Sequence, residues 1–84
     1  MNMIKNIHFT LLIRINKQLH EFNFRMRSPE LYDGDTSDER GNRHFFKMVV
    51  RENNWKIHGD SLPAWIVANE QEINDQLKKR EAVS

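Results

Sequence analysis

Between residues 7 and 15 the chain reads IHFTLLIRI, with Ile7, Phe9, Leu11, Ile13 and Ile15 at every odd position and His8, Thr10, Leu12 and Arg14 between them. A period of two sends successive side chains to opposite faces, so this run is a half-buried strand, predicted over about residues 4–15. Such a strand needs a neighbour for its backbone and a cover for its apolar row. The next run, HEFNFRMR, supplies the neighbour: Phe22, Phe24 and Met26 alternate against Glu21, Asn23, Arg25 and Arg27, giving a second strand over about 19–27. An even-length connection within the stretch Asn16, Lys17, Gln18, either Asn-Lys or Lys-Gln, sets Leu11 beside Phe22 or Phe24, although both pairs are weak turn formers and leave the register open.

A second hairpin follows. RHFFKMVVR (about 43–51) carries Phe46, Met48 and Val50 on one face, and NWKIH (about 54–58) returns with Trp55 and Ile57. Glu52, Asn53 and Asn54 form the turn, with the two asparagines expected at its centre because asparagine tolerates positive φ. Trp55 and Trp65 are in phase with the apolar positions of their elements, which makes them core residues. Beyond Gly59, Asp60 or Ser61 can cap a helix over about 62–80, with Pro63 in the first turn where its missing N–H costs nothing. Leu62, Ile66, Ile73 and Leu77 form its apolar stripe, and Lys78, Lys79 and Arg80 complement its C-terminal dipole. One stripe needs one sheet face. The expected fold is therefore α+β: a four-stranded antiparallel sheet made of two hairpins, with one C-terminal helix packed on one face (ββββα), in a single small domain over 1–84.

The connection over 28–42, with LYDGDTSDERGN at its heart, resembles a calcium loop only at first glance. From Asp33 the sequence supplies oxygens at Asp33, Asp35 and Ser37, but Asp38 stands where the sharp turn needs glycine and His44 where a bidentate glutamate is needed. It reads as a solvated loop without a metal site: Ser28-Pro29-Glu30 starts a helical turn, Leu31 and Tyr32 pin the loop to the core, and Asp33-Gly34 turns the chain. The chain has no cysteine, which removes disulfides, thiolate metal sites and cysteine nucleophiles and accords with a cytoplasmic protein. No run approaches the roughly 18 apolar residues of a membrane span. His8, His20, His44 and His58 lie on separate segments without ligand spacing, and the serines have turn or cap roles. With no nucleophile, base and orienter in one constellation, no enzyme and no cofactor are expected.

The exposed sheet face is the informative one. Its outward positions include Leu12, Arg14, Arg25, Arg27, Phe45, Lys47, Val49 and Arg51, the candidate partner-binding surface, and also Lys56. In a chain of net charge +1, cations on this face leave the acids to the 30–39 loop and the helix, so the molecule is expected to be electrically two-sided. The plainest reading is a solvated face. Two functional readings compete with it. Leu12, Phe45 and Val49 amid arginine stems form an amphipathic patch for a protein partner or for self-association as a homodimer, which makes the chain a small interaction module presenting a sheet face or edge. The alternative is binding of single-stranded nucleic acid or another polyanion, with phosphates on the cations and a base on Phe45.

Overall fold

The computed structural model describes residues 7–83. Five strands run in sequence, β1 (His8–Ile15), β2 (Gln18–Ser28), β3 (Leu31–Ser37), β4 (Arg43–Arg51) and β5 (Asn54–His58), followed by the helices α1 (Ala64–Val67) and α2 (Glu70–Val83). All strand pairs are antiparallel and the sheet order follows the chain, β1-β2-β3-β4-β5. The fold is thus α+β with a C-terminal helical segment, as the alternation implies, but the sheet has five strands instead of four. Of the predicted first strand, residues 4–6 lie outside the described residues.

The extra strand is the acidic connection. Leu31–Ser37 pairs with β2 on one side and β4 on the other, so Asp33-Gly34, expected to turn the chain, lies mid-strand. Aspartate and glycine are poor strand formers, but context overrides this. Tyr32, Gly34 and Thr36 point into the core, where the Thr36 hydroxyl donates to the Glu21 carbonyl at 2.9 Å, while Asp33 and Asp35 face outward among cations. The real turns are shorter. Pro29 and Glu30 link β2 to β3, and Asp38–Asn42 links β3 to β4.

Both remaining hairpins close with two-residue turns in which both central residues have positive φ, Asn16 (51°) with Lys17 (68°) and Glu52 (52°) with Asn53 (68°). This turn matches the right-handed twist of its strands. In the first hairpin it sets Leu11 opposite Phe22. In the second it shifts the expected centre back by one residue, because Asn54 already pairs with Arg51 as the first residue of β5.

The inward rows meet in one core of Ile13, Phe22, Phe24, Tyr32, Phe46, Met48 and Trp55, capped from the helical side by Ile66, Ile73 and Leu77. Trp65 packs at its margin. The predicted single helix is broken after Val67: the Asn69 side-chain Nδ2 donates to the Trp65 carbonyl at 2.6 Å, and the Asn69 backbone carbonyl accepts from Ile73 N–H at 3.0 Å as α2 begins. Pro63 occupies the N-cap of α1 without a side-chain cap, so neither Asp60 nor Ser61 plays the expected role. α2 packs against β5 and also reaches β1, where Arg80 lies 3.8 Å above the Phe9 ring. A helix can touch the first and last strands of one sheet only if the sheet curls, and the result is a half-barrel closed by α2.

Candidate functional site

Leu12, Arg14, Arg25, Arg27, Phe45, Lys47 and Arg51 are exposed and Val49 is half-buried, all at outward positions. The inserted β3, however, changes which of them are neighbours. Leu12 on β1 is three strand spacings, about 14 Å, from the strand that carries Phe45 and Val49. Phe45 stands opposite Asp35, and Val49 is flanked by Leu31 and Lys56. The apolar trio is therefore divided between the two sides of the face.

The charge layout differs as well. Asp33 lies between Arg25 and Lys47 in the register and binds Lys47 Nζ at 2.7 Å on one oxygen and Arg27 Nε on the other. Asp35 takes Arg43 and accepts from Asn23 Nδ2 at 3.1 Å, and Asn23 accepts from the Thr10 hydroxyl at 2.7 Å, so a polar chain crosses the face from β1 to β4. Lys56 reaches Glu70 at 3.8 Å. The molecule is not two-sided: acids sit in the middle of the basic face, and among the described residues Arg14, Arg25 and Arg51 are the cations of the candidate set without an ion pair. The signal for this lay in the cations themselves, since facing rows on β2 and β4 leave room for a strand with alternating acids between them.

The chain matches no protein-family model, no curated protein and no solved structure.

Two histidines that the sequence leaves apart come together at the open end of the half-barrel. His20 and His44 are in phase with the apolar rows of β2 and β4, and their rings lie 5.3 Å and 6.1 Å from that of Trp65. A cavity of about 380 Å³ opens beside Trp65, His20 and Asp38. His44 Nε2 stands 3.2 Å from Asp38, but among the described residues no hydroxyl bonds to this pair, and the nearby Thr36 hydroxyl is spent on a carbonyl. Asp38 instead ties its own hairpin: its carboxylate accepts from the backbone N–H groups of Arg40 and Asn42, both at 2.9 Å, across a loop in which Gly41 has φ of +85°.

These bonds, led by the Asn42 N–H and aided by His44, the Asn42 side chain and the Arg40 N–H, lower the Asp38 carboxyl from its ordinary 3.8 to about 2. Asp33 is lowered too, chiefly by Lys47 and then by Arg27. A depressed carboxylate stabilises the fold above its unfolded value, and that contribution disappears as pH falls through the folded one. The melting temperature should therefore drop as pH falls from about 3.8 to about 2. Asp38→Asn, which keeps an oxygen for the loop but not the charge, should flatten that limb in a series of thermal melts and lower the melting temperature at neutral pH toward the wild type's acid value. An acid limb as steep as that of the wild type would refute the role given to Asp38.

The two sheet edges are treated differently. On β5 the outward N–H groups of Trp55 and Ile57 donate to Asn74 Oδ1 at 2.7 Å and Glu70 Oε2 at 2.8 Å, two α2 side chains one helical turn apart. On β1 no such seal is found among the described residues. Ile15 and Gln18 flank a two-residue turn and so exchange the closing hydrogen bonds, which turns the odd residues of β1 toward β2 and leaves the peptide groups of His8, Thr10, Leu12 and Arg14 at the open edge. Leu12 and Leu19, 53 % and 56 % exposed, lie in adjacent rows beside that edge.

Proposed function

We propose that the protein is a non-enzymatic interaction module that docks a protein partner along the β1 side of its sheet, through the open edge and the adjoining side chains Leu12, Arg14, Leu19 and Arg25. The unequal treatment of the two edges carries this reading. An unprotected edge is a template for another strand, and proteins ordinarily blunt it with proline, a bulge or a cover. β5 has such a cover, whereas β1 pairs with β2 without a register break and contains no proline. Strand addition takes affinity from the backbone and selectivity from alternate side chains, and exposed Leu12 between Thr10 and Arg14 offers such an alternation. The polyanion alternative is disfavoured by the pairing of Arg27, Lys47 and Lys56, which leaves Arg14, Arg25 and Arg51 dispersed over β1, β2 and β4.

Leu12→Pro is a selective test because the Leu12 N–H points away from β2, so proline removes an edge donor and spares the internal ladder. Tagged wild-type chain should retain its partner from an extract of the source cells. Leu12→Pro should lose it and Phe45→Glu, on the far side of the face, should keep it, with circular dichroism confirming that both variants are folded. Retention by Leu12→Pro equal to that of the wild type sinks the reading, as does a wild type that retains no protein at all, its own untagged copy included.

A further inference from the structure

We infer that the occupant of the β1 edge is a second copy of this chain, paired antiparallel about a two-fold axis through Leu12, an inference that rests on the edge-docking reading above. The edge groups belong to His8, Thr10, Leu12 and Arg14, whose side chains all point to the outer face. Only certain registers suit a copy of the same strand. Centring on Leu11 would set Arg14 against His8 of the second copy, so that two basic side chains meet. Centring on Ile13 would set exposed Leu12 against a guanidinium and shorten the overlap.

Centring on Leu12 sets this leucine against its own counterpart and Arg14 against the second copy's Thr10, and each such opposed pair exchanges two backbone bonds. Leu19, one row away on β2, lies beside the leucine pair on either side of the axis. Like charges face each other nowhere in this register, and the two sheets continue into one. α2 does not obstruct the approach, because it meets β1 from the inner face, where Arg80 covers Phe9. The isologous contact closes on itself and consumes both open edges, so association stops at the dimer.

The chain lacks cysteine, so a single introduced thiol reports the register. Across a hydrogen-bonded antiparallel pair the Cα atoms are about 5.5 Å apart, within the range that a disulfide spans. Mild oxidation should convert most Leu12→Cys chains to a linked dimer, whereas Leu19→Cys should stay largely unlinked. Light scattering of the wild type should rise from 10.1 kDa toward twice that mass with concentration. Leu12→Pro should raise the midpoint at least ten-fold, as should Leu12→Lys, which keeps every backbone group and sets two ammonium groups face to face, so the test survives if the proline variant misfolds. A wild type that remains monomeric up to millimolar concentration overturns the inference, as does a dimer indifferent to both Leu12 substitutions or one that links Leu19→Cys in preference to Leu12→Cys. If the wild type is monomeric but Leu12→Pro still loses partner retention from extract, the edge-docking reading stands and only the second copy falls; loss of both findings removes both.

Discussion

Gly34→Val is expected to cost about 3 kcal/mol or more, at the upper end of what overpacking a core does, and in a domain whose whole stability is of the order of 5 kcal/mol this removes more than half of it. Gly34 is not needed for its backbone. It is needed because a Cβ there would stand 2.5 Å from Phe46 Cε2 and 2.7 Å from Phe46 Cζ. The ring cannot easily move away, since Phe46 is 4 % exposed and packs against the rings of Phe22 and Phe24 at 6.2 Å and 6.0 Å. The clash therefore belongs to a pair, and the pair can be tested. Phe46→Leu removes the two offending ring atoms at the cost of a small cavity. Gly34→Ala in that background should be milder than in the wild type, with a coupling of about 1 kcal/mol or more in a double-mutant cycle read by urea denaturation. Strict additivity, or a Gly34→Ala protein as stable as the wild type, would mean that the ring yields freely.

The second large effect is expected at Asn74. This side chain is 3 % exposed, accepts from the Trp55 N–H at 2.7 Å and donates to Asn54 Oδ1 at 3.3 Å. Leucine has a similar volume and keeps the packing, but it removes the acceptor for a buried backbone donor, which costs about 1–3 kcal/mol. It also opens the second sheet edge, so Asn74→Leu should aggregate at concentrations where the wild type does not. Glu70→Gln is the matched control, since its amide oxygen can still accept from Ile57 N–H and the loss should be a fraction of the other. Hydrogen exchange of the Trp55 amide decides the matter. It should accelerate in Asn74→Leu and stay near the wild-type rate in Glu70→Gln; an unchanged rate in both would show that the helix does not seal the edge.

Which side chains turn inward was legible at once for β1, β2, β4, β5 and the helical stripe, because alternation alone assigns a face whatever the strand order. Ile13, Phe22, Phe24, Phe46, Met48, Trp55, Ile66, Ile73 and Leu77 are all buried as that rule demands. For the same reason every member of the candidate surface, from Leu12 to Arg51, carries its side chain on the outer face. Adjacency was not legible. Leu12, Phe45 and Val49 look like one patch only while β2 and β4 are imagined side by side.

Local chemistry was sufficient for the period of two, which one segment settles by itself; it did not show that the helix expected over 62–80 breaks after Val67, or that the second hairpin turn centres on Glu52 and Asn53. Tertiary structure alone decided three matters. It made a strand of LYDGDTS, whose aspartates and glycine oppose that conformation in isolation, because neighbours on both sides pair its backbone, cations neutralise its acids and the Phe46 ring fills the space above Gly34. It brought His20, His44 and Trp65 to one end of the half-barrel. It also sealed one edge of the sheet with Asn74 and Glu70 and left the other open, since a helix that leaves β5 returns along the β5 edge and reaches β1 only at its inner face.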